Sequence, residues 1–578
     1  MAKSWFEPEQ RWLLVHSWIE HCFSQHKECK RTGRPRLPTR CLDIGAHEHD
    51  IIRVLTPSRE VGRYACLSHC WGGHQPCTLT SATLPVYSQG IPASELPQTY
   101  KDAIAICRLL GLRYIWVDSL CILQNDKDDW LRESPKMVDY YGNCHVCIAA
   151  TNVSGPNAGL KIRDRPAGIR VDGIGAEGHR YQLLAYPSDL IGTVSHFSRA
   201  DAAKLEQNFP LMKRAWVLQE RWLSPRTLHF CGDEVVLECG QDLKCECGRN
   251  NETFTLWKGD PTKVMPIENQ SDGMVLKRQS GKRWTQFVSA YSALDLSFRS
   301  DRLPAVSGLA RRFAAQHTDA QRSPGRYLAG LWQHTLHDEL VWFVGDVLLQ
   351  AQRSTEADDH QLHTGLALAK RGRLVEYIAP SWSWAGVTDA VSYRAWNDNA
   401  PLCELISADV VLSGTDPFGA VAPGCTLTIR GKLFETAWTV TGVQSKQKSF
   451  VLSDMHATQR LDNKNSDGVR FLPDYTITKP RPNQITASER LYVFPVLTQK
   501  LSLSSWSYNM NEERAMQDMM ALVERVRNTA SLVLRRRRSS TDGLAVFERV
   551  GFTEYASVTA HAENLDLNPY EEQTFILI

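Results

Sequence analysis

The clearest hydrophobic pattern of the chain lies between Tyr64 and Thr151. Apolar runs that stop at small or polar residues predict three buried strands, at Tyr64–Cys70, Arg113–Leu120 and His145–Ala150. Apolar residues at helical spacing predict helices between them, at Leu96–Leu110 and Asn125–Tyr141. This alternation of strand and helix is typical of a doubly wound, mostly parallel α/β sheet.

The flanking patterns extend this domain in both directions. Pro8–Cys29 has a helical stripe, Leu42–Leu55 is expected to form a strand and hairpin, Arg214–Phe230 is predicted to be helical, and Glu234–Cys239 is predicted to be a strand. We therefore predict an N-terminal helical extension over residues 1–55 and an α/β domain over 56–248.

The second half of the chain has a different pattern. A polar stretch predicts a linker over residues 249–281, followed by an α+β region over 282–578. The spacing predicts helices at Trp284–Leu294, Arg302–Gln316 and Arg326–Phe343, and antiparallel strands at Cys403–Ser413, Cys425–Val440 and Arg490–Leu497.

Composition excludes several functional classes. Apolar residues make up 43% of the 578 residues and the formal net charge is only +2, so the chain has no global signature of a nucleic-acid-binding protein. The basic cluster Arg535–Arg538 is predicted to be the solvated end of a helix that starts near Glu512, with a nuclear-import signal as the alternative. No long apolar run or signal peptide is present, so we expect no membrane and a cytoplasmic or nuclear location.

The 16 cysteines are scattered, often inside apolar runs, which disfavours a disulfide framework. Cys22, His26 and Cys29 lie on one face of the first predicted helix and could supply three ligands of a structural zinc, with Cys41 or the His69/Cys70 pair as the fourth. The alternative is that cysteine simply suits a buried face. A second crowded set is given less weight as a metal site because its spacing is irregular: Cys231, Cys239, Cys245 and Cys247.

Four sequence blocks carry a family resemblance. They are YACLSHCWGG at Tyr64–Gly73, LPQTYKDAIAICRLLGLRYIWVDSLCILQND at Leu96–Asp126, DWLRESPKMVDYYGNC at Asp129–Cys144 and RAWVLQERWLSPRTLHF at Arg214–Phe230. Together they resemble the fungal heterokaryon-incompatibility (HET) domain. The resemblance implies a fungal protein with a fold similar to Toll/interleukin-receptor (TIR) domains and a role in non-self recognition and programmed cell death. Some family members are instead encoded beside natural-product biosynthetic genes, which leaves an accessory role there as an alternative.

The resemblance also implies a catalytic residue. TIR-like enzymes split the nicotinamide–ribose bond of NAD⁺ with the glutamate of a WCxxE helix, and Trp216 and Glu220 have the same spacing here, although the cysteine is missing. Glu220 is thus the predicted catalytic carboxylate, and NAD⁺ the expected substrate. The alternative is a structural ion pair with Arg214, Arg221 or Arg226. Glu133 is the rival carboxylate, which we expect to lie on a solvated helix face.

Residues at the ends of the predicted strands are candidates for binding a nucleotide. Ser68, Trp71 and Gly72 follow the first strand and Asp118 follows the second, positions that face the ligand crevice of a doubly wound sheet. Trp71 could stack on a base, Asp118 could accept ribose hydroxyl groups, and Gly72 would let the backbone approach a phosphate; Trp216 joins them through the resemblance. The alternatives are a core anchor, a helix cap and a simple turn.

No GxGxxG motif or P-loop is present, which disfavours an ordinary dinucleotide-dependent oxidoreductase or an NTPase. His69 and Cys70 point to opposite faces of a strand and cannot form a catalytic pair, although His74 or His229 could serve Cys70. The competing hypothesis to an enzyme is an interaction module that relays its signal through contacts with other proteins, including its own copies.

Overall fold

The structure is a computed structural model. It describes residues 8–27, 29, 33–47, 51–73, 77–92, 94–160, 162, 169–174, 180–185, 209–232, 234–246, 273–316, 323–344, 376–393, 399–436, 438–444, 447–452, 469–473, 490–500, 526–541, 543–558 and 572–578. The chain divides into two compact units, residues 1–266 with 305–309, and residues 267–304 with 310–578.

The first unit is built on an eight-stranded sheet. The strands in this part of the chain are β1 Cys41–Asp43, β2 Arg53–Leu55, β3 Tyr64–Ser68, β4 Tyr114–Trp116, β5 Val146–Ala149, β6 Ile169–Ile174, β7 Arg180–Ala185, β8 Arg226–Phe230, β9 Val235–Cys239 and β10 Leu243–Cys245. The order across the sheet is β10-β9-β8-β5-β3-β4-β1-β2, and β6 and β7 form a separate antiparallel pair.

The centre of this sheet is parallel and both of its edges are antiparallel. β4, β3, β5 and β8 run parallel to one another, whereas β1 and β2 on one side and β9 and β10 on the other pair antiparallel. Every residue of β3, β5 and β8 is buried, as expected for strands covered on both faces. The α/β class is therefore confirmed, and the sheet has a parallel centre with antiparallel edges.

The order of the parallel strands creates a topological switch point. The chain enters at β3, moves to β4 on one side and then crosses to β5 on the other side of β3. In sheets of this kind, ligands bind outside the carboxyl ends of the strands at such a point. A ligand-binding site is therefore expected at the carboxyl ends of β3 and its two parallel neighbours.

The helices of this part of the chain are α1 Pro8–Gln25, α2 Leu84–Tyr87, α3 Gln98–Leu109, α4 Asp118–Cys121, α5 Lys127–Glu133, α6 Met137–Asn143 and α7 Ala215–Leu223. The predicted N-terminal helix is present as α1, and its Val15, Trp18 and Ile19 are buried in the same core cluster as residues of β3, β5 and β8. None of the helices among the described residues is long and apolar enough to cross a membrane.

The expectation of one helical segment over Arg214–Phe230 is wrong in its second half. α7 ends at Leu223, and the chain continues as β8, which pairs parallel to β5. Pro225 explains the break, because proline disfavours helical geometry in the residue before it and cannot donate a backbone hydrogen bond. The segment thus contributes both a helix and a central strand.

The second unit contains an 11-stranded, almost wholly antiparallel sheet and two small hairpin-like pairs. Its strands are β11 Tyr327–Leu328, β12 Leu331–Trp332, β13 Phe343–Val344, β14 Val391–Ser392, β15 Asn399–Pro401, β16 Cys403–Asp409, β17 Thr426–Lys432, β18 Phe434–Thr436, β19 Trp438–Gln444, β20 Gln447–Leu452, β21 Val469–Pro473, β22 Leu491–Lys500, β23 Val526–Ser539, β24 Ala545–Val558 and β25 Glu572–Leu577. The helices of the described residues in the second half of the chain are α8 Gly273–Ser292, α9 Pro304–Gln316, whose residues 305–309 belong to the first unit, and α10 Leu336–Leu340.

Two expectations for this half meet different outcomes. The antiparallel strands near Cys403, Cys425 and Arg490 are confirmed as β16, β17 and β22. The helix over Arg326–Phe343 is wrong, because a hairpin of β11 and β12 precedes the five residues of α10. Ala329 and Gly330 at its tip have φ of 45° and 104°, values that no right-handed helix contains.

The predicted linker and the basic cluster also differ from expectation. α8 begins at Gly273, so the described end of the linker is helical, while residues 249–272 lie outside the described part of the chain. The idea that Arg535–Arg538 ends a solvated helix is wrong, because this segment lies in β23. Arg535 and Arg537 both contact Glu548 on the neighbouring strand β24, so two of the four guanidinium groups share one carboxylate.

Candidate functional site

A polar cluster lies at the carboxyl ends of β3 and β4. Ser68 is the last residue of β3, and Asp118 begins α4 just after β4. Trp71 Nε1 donates to Asp118 Oδ2 at 2.7 Å, which ties the two strand ends together. The Asp118 side chain remains 21% exposed, so the cluster reaches solvent here.

Behind these residues runs a chain of buried hydrogen bonds. His69 Nε2 lies 2.9 Å from the Tyr100 hydroxyl, which in turn lies 2.8 Å from Ser119 Oγ. Burial lowers the pKa of His69 to about 4, so its imidazole is neutral near pH 7. The Asp118 carboxylate, 3.9 Å from His69 Nδ1, opposes this shift without overcoming it. The network therefore fixes the strand ends rather than offering a charged base.

Glu220 lies on α7 and is directed into this cluster. The residue is only 6% exposed. The hydroxyl groups of Ser68 and Tyr141 are close enough to lower its pKa, and Tyr141 is itself anchored on the Leu67 carbonyl oxygen. The helix that follows the third parallel strand thus delivers a carboxylate to the switch point.

The carboxylate of Glu220 is incompletely satisfied. Among the described residues, neither Glu220 Oε2 nor Ser68 Oγ has a hydrogen-bond partner of acceptable geometry, and both atoms are buried. A buried polar atom left without a partner costs about 1–3 kcal/mol. Two such atoms side by side point to a place where a water molecule or a substrate hydroxyl completes the site.

Burial raises the pKa of Glu220 to about 7, and the nearby Asp118 carboxylate adds to the shift. Ser68, Arg214 and Tyr141 act in the opposite direction but do not offset the loss of hydration. A carboxyl group whose pKa is near neutrality can hold or release a proton at physiological pH. Such tuning is common at functional sites.

The ion-pair alternative for Glu220 does not hold for the described residues. Arg221 Nε and Nη2 donate to Glu238 at 2.6 and 2.7 Å. Arg226 donates to the carbonyl oxygens of His145 and Cys29, and Arg214 donates to that of His69. No cationic side chain in the described ranges lies within 4.0 Å of the Glu220 carboxylate.

The rival carboxylate, Glu133, is not on a solvated face, so that expectation is wrong. Glu133 is 2% exposed and accepts hydrogen bonds from the Tyr140 hydroxyl at 2.6 Å and from Lys136 Nζ at 2.8 Å. Its hydrogen bonds are already made, and it lies outside the Ser68 cluster.

The proposal that Cys70 has a histidine partner also finds no support. His229 instead contacts Thr151 and Glu238, and His74 lies outside the described residues.

Gly72 makes the turn that follows β3. Its φ is +69°, in the left-handed region that favours glycine, and a Cβ there would lie 3.3 Å from Pro156 Cδ. The turn sets the position of Trp71, whose side chain is partly buried. Trp216 lies one helical turn before Glu220 on α7 with a partly exposed side chain. The ligand-binding roles of Ser68, Trp71, Gly72, Asp118 and Trp216 stay predictions.

Gly72→Ala is expected to lower the free energy of unfolding by about 1–2 kcal/mol, because an L side chain is strained at this φ. Gly73→Ala is the matched control, since Gly73 has no positive φ and a Cβ there would meet no atom within 4 Å. Urea unfolding of both variants measures the difference. Equal losses would show that the turn is not held in this geometry.

Three residues of the cluster are absent from the predicted catalytic and ligand-binding set. Tyr100 bridges His69 and Ser119, Tyr141 lies against Glu220, and Arg214 places positive charge near both Glu220 and the His69 carbonyl oxygen. Tyr100 belongs to the helical stripe of the predicted Leu96–Leu110 helix, where a buried tyrosine in place of an aliphatic residue was an available signal. The sequence indicates Arg214 only as a possible ion-pair partner of Glu220, and nothing in the spacing indicates Tyr141.

The residues predicted to bind a metal do meet, with a fourth that was not expected. Cys22 Sγ, a ring nitrogen of His26, Cys29 Sγ and Cys239 Sγ all lie within 4.8 Å of one another. The fourth member is therefore neither Cys41 nor the His69/Cys70 pair. Cys239 belongs to the crowded cysteine set of residues 231–247, whose irregular spacing made it the weaker candidate for a metal site. Of the others in that set, Cys231 and Cys245 are not among the clustered donors, and Cys247 lies outside the described residues.

One family model matches the central part of the first unit. Residues 64–220 match the family model described as "Heterokaryon incompatibility protein (HET)". This segment is a HET domain. Searches of curated proteins and of solved structures gave no match.

The HET match contains all the residues of the polar cluster. It begins at Tyr64, the first residue of β3, and ends at Glu220 on α7. The HET domain thus covers the switch point, whereas the flanking α1 and the strands β8, β9 and β10 lie outside the matched residues. Those flanking elements belong to the same compact unit.

Proposed function

We propose that this protein is a heterokaryon-incompatibility effector whose HET domain hydrolyses the N-glycosidic bond of NAD⁺, with Glu220 as the catalytic carboxylate. The observation that carries the proposal is the buried, unsatisfied carboxylate of Glu220 beside Ser68 Oγ at the switch point of the sheet. A carboxylate kept poorly solvated and only partly compensated is ready to stabilise positive charge that develops on a substrate.

The chemistry that fits is cleavage through an oxocarbenium-like transition state. The bond between the ribose C1′ and the nicotinamide nitrogen breaks, and both electrons leave with nicotinamide, which becomes neutral. Water then adds to C1′ and loses a proton, so that NAD⁺ and water yield ADP-ribose, nicotinamide and H⁺. An anionic Glu220 would stabilise the ribosyl cation, as carboxylates do in glycoside hydrolysis.

The remaining residues would bind and orient the substrate. Ser68 Oγ makes no hydrogen bond of acceptable geometry among the described residues and could contact a ribose hydroxyl group. Asp118, partly exposed and held by Trp71 Nε1, could accept a second ribose hydroxyl, while the partly exposed rings of Trp71 and Trp216 offer surfaces for stacking. Arg214 is the nearby cation that a diphosphate would contact.

The test is nicotinamide release from NAD⁺ by the full-length protein, measured both as purified and after concentration or addition of a molecular crowder to promote self-association. We expect Glu220→Gln to lower turnover at least about 100-fold, since one preorganised electrostatic contact at the reacting centre is worth that much. Glu133→Gln is the matched control, a buried glutamate outside the site, and should retain turnover.

Two outcomes would contradict the proposal. Unchanged turnover in Glu220→Gln would remove Glu220 from the chemistry. Absence of turnover in every assembly state, together with cell death that survives Glu220→Gln in a fungal host, would favour a module that signals through protein contacts alone.

A further inference from the structure

A second site lies away from the switch point, where α1 meets the edge of the sheet. Cys22 and His26 are four residues apart on α1 and its C-terminal continuation, and therefore lie on one face. Cys29 follows in a turn closed by a hydrogen bond from Cys29 N to the His26 carbonyl oxygen. Cys239 ends β9, more than 200 positions further along the chain. Three of the four residues are buried.

We propose that Cys22, His26, Cys29 and Cys239 bind one structural Zn²⁺ ion that fastens α1 to β9. The donor atoms lie within 4.8 Å of one another, and His26 Nδ1 is 3.3 Å from Cys239 Sγ. Tetrahedral zinc with Zn–S of about 2.3 Å and Zn–N of about 2.0–2.1 Å requires donors about 3.5–3.8 Å apart. Only a small contraction of the cluster is needed.

The surroundings of the sulfur atoms match a metal site. The backbone N–H of Asp242 donates to Cys239 Sγ at 3.2 Å, and the backbone of Gly240 lies so close to Cys29 Sγ that a Cβ on Gly240 would be 3.4 Å from it. Arg226 Nη1 lies 3.7 Å from Cys22 Sγ. Donors aimed at cysteine sulfur atoms are what orient thiolate ligands around zinc.

Charge balance provides an independent argument. Arg226 is 1% exposed, and the described residues place no carboxylate within ion-pair distance of it. A buried guanidinium without an anion is costly. Three thiolates, a neutral imidazole and Zn²⁺ carry a net charge of −1, which would compensate Arg226. A disulfide between two of the cysteines would leave the Arg226 charge without a partner.

The donor set also determines the role of the ion. Four protein ligands fill a tetrahedral zinc and leave no position for water or substrate, as in structural sites. The ligands come from α1 and from the end of β9, so the ion would hold the N-terminal helix against the sheet. The Arg11–Glu246 contact joins the same two parts of the chain.

The experiment measures metal in the full-length protein, purified with an affinity tag that does not chelate metals. Elemental analysis should find about one zinc per chain. Zinc-stripped protein titrated with Co²⁺ alone should show the visible bands of tetrahedral cobalt and a thiolate charge-transfer band. Cys239→Ser should abolish stoichiometric zinc and the charge-transfer intensity expected for three thiolates, whereas Cys245→Ser, a buried cysteine on β10 outside the cluster, should keep both.

A measurement on the unmodified chain avoids dependence on a variant that fails to fold. In the purified protein, Cys22, Cys29 and Cys239 should resist alkylation together and become reactive together after a chelator is added, as read by peptide mass spectrometry. A protein without zinc that also fails to bind Co²⁺ would overturn the proposal. So would a disulfide between any two of the three cysteines, or independent alkylation of the three.

Discussion

Glu220→Gln is expected to stabilise the protein, and its benefit should grow by about 2.5 kcal/mol between pH 5 and pH 8. The native pKa of Glu220 is raised to about 7 by burial, whereas a glutamate in an unfolded chain has a pKa of about 4.3. Below pH 4 the carboxyl group is protonated in both states and contributes nothing. As the pH rises, the unfolded chain releases the proton first, so unfolding becomes progressively easier until the native group also ionises near pH 7.

Replacing the carboxyl group with a neutral amide of the same size removes this cost of burying a charge. Chemical denaturation of the two proteins at pH 5, 6, 7 and 8 measures the effect, and the change with pH is independent of any fixed packing cost of the amide. Glu133→Gln is the control, because Glu133 already has Lys136 Nζ and the Tyr140 hydroxyl as partners and its replacement should lose stability. A pH-independent difference for Glu220→Gln would mean that its charge is well compensated, as a structural ion pair would be.

Arg221→Met is expected to lower the free energy of unfolding by about 3–5 kcal/mol, which is the usual cost of leaving a buried charge without its partner. Arg221 donates twice to Glu238, and the side chains are 6% and 3% exposed. Glu238 also contacts His229 Nε2 at 3.1 Å, and His229 Nδ1 lies 3.0 Å from Thr151 Oγ1. The network joins α7 to β8 and β9, so its loss should weaken the packing of the helix against both strands.

The double variant Arg221→Met/Glu238→Gln separates the effect of charge from that of packing. Removing both charges should restore a large part of the lost stability, since the amide no longer carries an uncompensated charge. Urea unfolding of the wild type, both single variants and the double variant completes the cycle. Additive losses in the double variant would contradict the buried-pair explanation and would attribute the cost to packing alone.

The centre of the fold could be predicted because its physical signals are local. The strands β3, β4 and β5 are short apolar runs that end at polar residues, and no other element fits a segment buried on both faces. Parallel strands bring their carboxyl ends to one edge, so the proximity of Ser68, Trp71 and Asp118 followed from their position in the pattern. The antiparallel pair of β1 and β2 agrees with the strand and hairpin predicted over Leu42–Leu55.

The remainder depends on contacts between distant parts of the chain. Nothing near Cys239 indicates that Cys22, His26 and Cys29 would lie beside it, because the two segments meet only after the sheet has formed. Glu133 lies in a charged sequence, yet Tyr140 and Lys136 accommodate it in the interior. The charged pattern around Arg535 predicts a solvated helix end, because its partner Glu548 comes beside it only when the next strand pairs with β23. Burial of a charged residue is decided by its partner, which a local pattern does not contain.

The attachment of α1 to the last strands of its unit has a consequence for synthesis. Arg11 and Glu246, which join these parts, are 235 positions apart. At about 5–20 residues per second, α1 leaves the ribosome roughly 10–50 s before its partner strand exists. During that interval the core cluster around Val15, Trp18 and Ile19 lacks its residues from β8 and β9, and Cys22, His26 and Cys29 lack Cys239. α1 is thus synthesised before most of its unit and completes its native contacts only after residue 246 has emerged.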